Sequence, residues 1–171
     1  MARATLKGNI VEGHGELNGL TARRQIQPAD DTASVREILV RVLESEHFRV
    51  IVARNGNDAA AKFMSSLPDL VSLDLNMPER DGWSAFRLTV AAQRPVPIIV
   101  ITALPHQYEQ SAGLGVDALM EEPLNLPVFL GAIKNLLSES KAERARRLNS
   151  CEFKTVDLKH STGTSGNGEQ A

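Results

Sequence analysis

The apolar run Ile-Ile-Val-Ile at residues 98–101 constrains the fold of this 171-residue chain more than any other feature. It has no polar side chain on either face, so a strand formed from it must be covered on both faces, as strands of parallel sheets are. Residues 48–53 and 69–75 are further runs with strand character, and residues 25–29 and 117–121 are weaker ones. Together these runs predict five strands in one parallel sheet.

Amphipathic helical patterns alternate with the strand runs. The first two patterns have apolar side chains at helical spacing, namely Val35, Ile38, Leu39, Val42 and Leu43, then Ala59, Ala60, Phe63 and Met64. Further helices are expected at residues 82–92 and 107–114, and a closing helix follows Asn125, a residue type suited to N-capping. Strands and helices that alternate through short loops predict the α/β class: a doubly wound five-stranded parallel sheet with helices on both faces.

Composition divides the chain into three parts. Residues 1–23 are glycine-rich with little apolar periodicity and are expected to form a flexible leader, and residues 24–140 hold the folded domain. Residues 141–171 are expected to form a basic helical extension and then a disordered, Gly- and Ser-rich tail. The basic side chains of the extension are Lys141, Arg144, Arg146 and Arg147, and they are interpreted as a solvated helix end. The chain from about residue 149 is expected to be dispensable for folding.

Charge and cysteine content exclude several classes of protein. Nineteen basic against 21 acidic residues give a net charge of −2, which provides no general attraction to nucleic acid or to an anionic membrane. The single cysteine, Cys151, excludes an intramolecular disulfide and a thiolate metal cluster. The N-terminal residues lack the apolar stretch of a signal peptide, and no apolar run is long enough to span a bilayer. We therefore expect a cytoplasmic location.

Acidic residues fall at two of the predicted strand ends. Asp30 and Asp31 follow the first strand, Asp74 ends the third, and Thr102 ends the fourth. Because the sites of such sheets form beyond the carboxyl ends of the strands, we expect these side chains to converge. Converging carboxylates repel one another, and Mg²⁺ relieves that repulsion because it prefers oxygen ligands and keeps bound waters that phosphate oxygens can replace. The pattern predicts a magnesium site with a hydroxyl group beside it.

Four segments, taken in order, resemble the receiver domains of bacterial two-component response regulators. They are the acidic pair at residues 30–31 with VREIL at 35–39, DLVSLDLNMPERDG at 69–82, PIIVITA at 97–103 and GVDALMEEPL at 115–124. The resemblance covers about residues 24–138 and implies the flavodoxin-like strand order 2-1-3-4-5, which is also the order of the chemotaxis regulator of that family.

The resemblance also implies roles for single residues. Asp74 would accept a phosphoryl group from a histidine kinase or phosphotransfer protein, and the Thr102 hydroxyl would approach that group as a switch. Asp31, Asp74 and the backbone carbonyl of Asn76 would hold Mg²⁺, with Asp30 supporting through water. Signalling would follow by contact with a downstream protein target, without enzymatic activity beyond self-phosphorylation and self-dephosphorylation, and without nucleic-acid or membrane partners.

Three positions depart from the family pattern. Glu122 occupies the place of a lysine that pairs with the phosphoryl group. Because two unit charges 4 Å apart interact by about 4 kcal/mol near a protein surface, this reversal penalises the phosphorylated state by several kcal/mol at most. Leu119 replaces the usual aromatic residue of the fifth strand. Pro28 lies in a strand that should be central, where proline removes a ladder donor.

Two other functions stay open at this point. A pseudo-receiver, an interaction module that keeps the fold without using phosphate, is favoured by Glu122 and Pro28. A phosphatase of the haloacid-dehalogenase type would also use an aspartate nucleophile at a strand end. Such enzymes place a second aspartate two residues after the nucleophile, where this chain has Asn76, which argues against the phosphatase.

Overall fold

A parallel sheet with helices forms the domain. The computed structural model of the protein describes residues 23–77, 84, 85, 87, 89, 96–103, 115–150 and 153–158. The strands are β1 (Gln25–Ala29), β2 (Arg49–Val50), β3 (Leu70–Asp74), β4 (Ile98–Thr102), β5 (Ala118–Glu121) and β6 (Val156–Asp157). The helices whose bounds lie within the described residues are α1 (Ala33–Ser45), α2 (Gly56–Ser66), α3 (Leu126–Ser138) and α4 (Lys141–Leu148). In this part of the chain, no helix combines the length and apolar character needed to cross a membrane.

The strand order is β2-β1-β3-β4-β5-β6, with every pair parallel. The predicted α/β class and the order 2-1-3-4-5 are therefore confirmed, and a sixth strand extends the sheet beyond β5. The second strand is shorter than the run at residues 48–53, although Ala53 still bridges to Ala29. Asn55 caps α2 by accepting from the Asp58 N–H at 2.9 Å, and Asn125 caps α3 as predicted.

Apolar cores lie on both faces of the sheet. Phe63 of α2 belongs to the core on one face, together with Val71 and Leu73 of β3. The other core contains Leu70 of β3 and side chains from α1 and α3, among them Leu39, Leu43, Phe129 and Ile133. Full burial of one such side chain contributes roughly 1.5–3 kcal/mol to folding. Helices therefore cover the sheet on both sides, as the apolar strand runs require.

Pro28 is tolerated in β1 because of the side on which its missing N–H lies. The carbonyls of Arg24, Ile26 and Pro28 accept hydrogen bonds from the β2 side, at 2.8–2.9 Å. In a parallel ladder, the N–H and C=O of one residue face the same neighbour, so the absent donor of Pro28 faces the short edge strand β2. The pairing of β1 with β3 is unaffected and runs from Ile26 to Ala29.

The two glutamines of β1 also have structural partners. Gln27 is fully buried, and its Nε2 donates to the Ala59 carbonyl of α2 at 2.7 Å. Gln25 donates through Nε2 to the Ser66 carbonyl at the end of α2, at 2.8 Å. These polar side chains attach the first strand to the helix that covers it, which accounts for their presence in an otherwise apolar position.

Several predicted segments lie outside the described residues. They are residues 1–22 of the leader, the helix at residues 107–114, Cys151, and residues 159–171 of the tail. Of the helix predicted at residues 82–92, only Ser84, Ala85, Arg87 and Thr89 are described, and all four are helical.

The basic run at residues 141–147 is helical as expected, with Lys141 and Arg146 exposed, but the interpretation as a solvated helix end is wrong for Arg144 and Arg147. It forms α4, whose Arg144 is only 3% exposed and donates to the fully buried carboxylate of Asp117. Arg147 donates to the same carboxylate at 2.7 Å and also bonds Glu139. Asp117 accepts in addition from the Ile98 N–H at 2.8 Å. One carboxylate therefore ties α4 to the beginnings of β4 and β5.

The prediction of a disordered tail is wrong for residues 153–158. Thr155 is buried and donates through Oγ1 to the Val116 carbonyl at 2.8 Å. The backbone N–H groups of Val156 and Leu158 then donate to the carbonyls of Asp117 and Leu119, at 2.9 and 2.8 Å. This segment forms β6 and covers the edge of β5, which would otherwise present unpaired backbone groups.

Removing the Arg144 guanidinium should destabilise the whole domain. We expect Arg144→Met to lower the free energy of unfolding by about 3 kcal/mol, because it leaves a buried carboxylate with one cation fewer. Arg146→Met is the matched control: Arg146 is exposed on the same helix, and its replacement should change stability by less than about 0.5 kcal/mol. Urea unfolding measures both.

A chain that ends after Ser140 should melt at a lower temperature than the full chain, contrary to the expectation from the sequence. It loses both arginines that contact Asp117 together with β6. Equal stability of the two chains, or equal effects of the Arg144 and Arg146 substitutions, would show that α4 is not anchored through Asp117.

Candidate functional site

An acidic crevice lies at the carboxyl-terminal edge of the sheet. Asp30 and Asp31 directly follow β1, and Asp74 is the last residue of β3, the neighbouring strand. The pairing register of β1 with β3 ends at Ala29 and Leu73, so both chains reach this edge together. One carboxylate oxygen from each aspartate lies within 4.8 Å of the other two. The convergence predicted from the sequence is therefore present.

Asp74 is the most perturbed acid of the crevice. Asp74 is only 5% exposed, and its pKa is raised to about 6, with this burial as the largest cause. The Asn76 N–H, which donates to Asp74 Oδ1 at 2.8 Å, acts in the opposite direction. The charges of Asp30, Glu122 and Asp31 are the remaining causes of the raised pKa. At pH 7 the carboxyl is still ionised in about nine molecules of ten, so it can act as an anion.

Asp30 is also buried, and its surroundings hold it in one position. Burial raises the pKa of Asp30, while the Thr32 N–H, which donates to its Oδ1 at 2.7 Å, lowers it. The backbone carbonyl of Asp30 accepts from Arg36 Nη1 at 2.9 Å. Asp31, by contrast, is exposed. Two buried acids and one exposed acid therefore share a single site.

The remaining predicted site residues lie at the same edge. Thr102 is fully buried at the end of β4, and its carbonyl accepts from the Glu122 N–H at 2.9 Å. Glu122 is exposed, and its charge raises the pKa of both buried aspartates. Asn76 is exposed two residues after Asp74. Leu119 points inward and is fully buried, so its position on β5 belongs to the core.

Arg36 is a neighbour of the crevice that the sequence reasoning missed. In the sequence, Arg36 stands between the apolar positions of the first helical pattern, and nothing there indicates a contact with the acidic pair. The structure instead places its guanidinium on the Asp30 carbonyl, and its positive charge lowers the pKa of Asp30. The spacing from Asp30 across the start of α1 is the one signal that could have indicated it.

The donor set fits a hard divalent cation. Three carboxylates supply oxygen atoms, the ligands that Mg²⁺ prefers, and the exposed Asp31 leaves the crevice open to solvent on one side. Without a cation, the two buried acids can lower their mutual repulsion by taking up protons, which agrees with the direction of both pKa changes. The acidic cluster could therefore bind a metal ion.

Comparison with curated proteins gives relatives of two kinds, response regulators and protein-glutamate methylesterases. The response regulator MprA of Mycobacterium bovis (strain BCG / Pasteur 1173P2) is 32% identical over 136 residues, which are 78% of this chain and 59% of that protein. A protein-glutamate methylesterase/protein-glutamine glutaminase 2 of Anaeromyxobacter dehalogenans is 40% identical over 99 residues, 56% of this chain and 29% of that protein. The chain thus spans little more than half the length of MprA.

Solved structures and a family model agree with these relatives. A CheY-like receiver domain from Methanospirillum hungatei JF-1 has a TM-score of 0.66 at 21% identity, covering 73% of this chain and 98% of that one, and shows the fold. TrrA of Thermotoga maritima, in complex with Mg²⁺-BeF, has a TM-score of 0.62 at 28% identity, covering 66% and 98%. The model of the response regulator receiver domain matches residues 26–134. The chain therefore belongs to the receiver-domain family of two-component response regulators.

Proposed function

We propose that the chain is a phospho-accepting signalling module in which Asp74 takes a phosphoryl group from a histidine kinase or a phosphotransfer protein. The observation that carries the proposal is the approach of the Asp30, Asp31 and Asp74 carboxylates within 4.8 Å at the edge of the sheet. Relatives named as response regulators, and a related structure described with Mg²⁺-BeF, support it. The output is contact with a downstream protein, in a cytoplasmic setting.

Asp31, Asp74 and the Asn76 carbonyl are proposed to hold Mg²⁺, with Asp30 supporting. When bound, the cation offsets the charge of the carboxylates and of an incoming phosphoryl group. Two hydrogen bonds hold Asp30 in position for this role. Its Oδ1 accepts from the Thr32 N–H, and its backbone carbonyl accepts from Arg36. These contacts fix the acidic loop before any ligand arrives, which lowers the entropy lost on binding.

Asp74 is proposed as the nucleophile because it is buried, oriented and mostly ionised near neutral pH. Its Oδ1 is held by the Asn76 N–H, which leaves Oδ2 to attack the phosphorus atom. A bond forms between this oxygen and phosphorus, the bond from phosphorus to the donor's histidine nitrogen breaks, and that nitrogen keeps the electron pair. The Thr102 hydroxyl, at the end of the adjacent strand, then donates to a phosphoryl oxygen. Such transfer depends mainly on positioning and charge neutralisation.

Glu122 favours a second candidate function, the pseudo-receiver. Its charge acts on both buried aspartates, so it opposes further negative charge in the crevice where the family has a compensating lysine. In this alternative the chain keeps the fold and its partner contacts but does not accumulate phosphate. Phosphatase activity is not proposed, since the amide of Asn76 cannot act as a general acid or base.

Mg²⁺ should bind at the crevice without phosphorylation. We expect Asp31→Asn to weaken binding at least about tenfold, because changes even in the outer shell of a metal site cost 10–100-fold. Glu44→Gln, which neutralises an exposed glutamate on α1, serves as the control and should leave the affinity unchanged. Affinity should also fall as the pH is lowered through about 6, where Asp74 takes up a proton. Isothermal titration calorimetry measures each value, and an unaltered affinity of Asp31→Asn would exclude this metal site.

Phosphorylation should depend on Asp74 and be limited by Glu122. Treatment with a small phosphodonor and intact-mass analysis should give one added phosphoryl group on the wild type and none on Asp74→Asn. Glu122→Lys should raise the phosphorylated fraction relative to unphosphorylated protein roughly 10–100-fold, the equivalent of a charge-assisted hydrogen bond of about 1.5–3 kcal/mol. Glu122→Gln should give a smaller gain, because it removes repulsion without adding attraction.

Glu44→Lys reverses a charge at the far end of α1 and is the control for the Glu122 series. Its phosphorylation should match the wild type. Equal behaviour of the Glu122 variants and the wild type would remove Glu122 as the limiting residue. Failure of all of them to take up phosphate, with Mg²⁺ binding intact, would favour the pseudo-receiver.

A further inference from the structure

A basic groove lies between α1 and α2, beside the acidic crevice. It has a volume of about 430 Å³ and opens to solvent. Its lining comes from α1, from the segment after β2 and from α2, and consists of Ala33, Arg36, Glu37, Val40, Arg41, Val52, Arg54 and Lys62. Four of these eight residues are cations and one is an anion, although the whole chain has more acidic than basic residues. We call this surface the α1–α2 groove.

Two of the four cations are held in place by the protein. Arg36 donates to the Asp30 carbonyl at 2.9 Å, and Lys62 donates to the Val52 carbonyl at 2.7 Å. These carbonyls orient the cations without neutralising them, whereas Asp58 forms an ion pair with Lys62 at 2.8 Å. The exposed guanidinium groups of Arg41 and Arg54 have no hydrogen bond or ion pair among the described residues. The charges of Asp58 and Asp30 also act on Arg54 and Arg36, so the positive charge of the groove is only partly compensated.

We propose that the α1–α2 groove docks an acidic segment of a partner protein. Guanidinium groups bind carboxylates through paired hydrogen bonds, and the half-buried Val40 and Val52 add apolar surface between the charges. A nucleotide fits less well, since no aromatic side chain lines the described part of the groove to stack on a base. A concave surface of this size also suits a peptide better than a flat anionic membrane.

The position of the groove would bring a docked partner close to the acidic crevice. Arg36 lines the groove and also holds the Asp30 carbonyl, so a partner seated there would lie next to the acidic crevice. Its acidic segment would be attracted to the groove and repelled by the crevice, which sets the direction in which the partner lies. The docking does not require Asp74 to accept phosphate and goes beyond the proposed function.

The probe for this proposal is fluorescein-labelled hexaglutamate, with hexaglutamine as its uncharged counterpart. We expect hexaglutamate to bind in fluorescence anisotropy at low salt and hexaglutamine not to bind. The double variant Arg41→Glu/Arg54→Glu should weaken binding at least about tenfold, because it turns two attractive charges into repulsive ones. The matched control is Arg49→Glu/Arg146→Glu, which makes the same charge change at two exposed arginines outside the groove and should change affinity less than about threefold.

Equal loss of affinity in the two double variants would overturn the proposal, because it would indicate attraction to net charge alone. Binding of ATP or of phosphatidylserine vesicles that depends on Arg41 and Arg54, with no binding of hexaglutamate, would also overturn it. Asp74 phosphorylation by a small phosphodonor should be the same in both variants and the wild type. Loss of phosphorylation in the wild type would contradict the proposed function without affecting this test.

Discussion

Burial and mutual repulsion of carboxylates at one edge of the sheet are the constraint on which the properties of the candidate site depend. Parallel pairing brings Asp30, Asp31 and Asp74 to the same end of neighbouring strands, within 4.8 Å of one another. Burial of two of them raises the free energy of the charged state, and the N–H groups of Thr32 and Asn76 offset only part of it. A bound cation or the uptake of protons would lower this free energy, which is why the site responds both to pH and to divalent metal in the proposed function.

The sequence was sufficient for the fold and for the members of the crevice, for a specific physical reason. The run at residues 98–101 has no polar face, which leaves a doubly covered parallel sheet as its environment. Once the sheet is parallel, the residues at the carboxyl ends of its strands must lie along one edge. Asp30, Asp74 and Thr102 could therefore be placed together from the sequence alone. Periodicity and strand ends are local signals, and the described structure bears them out for the strand order and for α1, α2 and α3.

Contacts between distant segments could not be read in this way. The basic run of α4 looked like a solvated helix end because nothing local shows that Asp117, 27 residues before Arg144, is buried and accepts from it. Pro28 is tolerable because its backbone nitrogen faces the edge strand β2 and not β3. A sequence does not show which neighbouring strand a backbone group faces. Arg36 likewise has a polar-face position on α1, and only the path of the loop after β1 brings it to the Asp30 carbonyl.

The most direct test of this account is the titration of the Asp74 carboxyl carbon by NMR, with and without Mg²⁺. In the metal-free protein we expect the Asp74 carboxyl to titrate with a midpoint near pH 6, because burial and neighbouring charges disfavour the carboxylate. Mg²⁺ should move the midpoint well below that value, since a bound cation favours the ionised form. A metal-free midpoint at the ordinary value of 3.8, or a midpoint that Mg²⁺ does not move, would contradict the claim that burial and neighbouring charges together disfavour the Asp74 carboxylate.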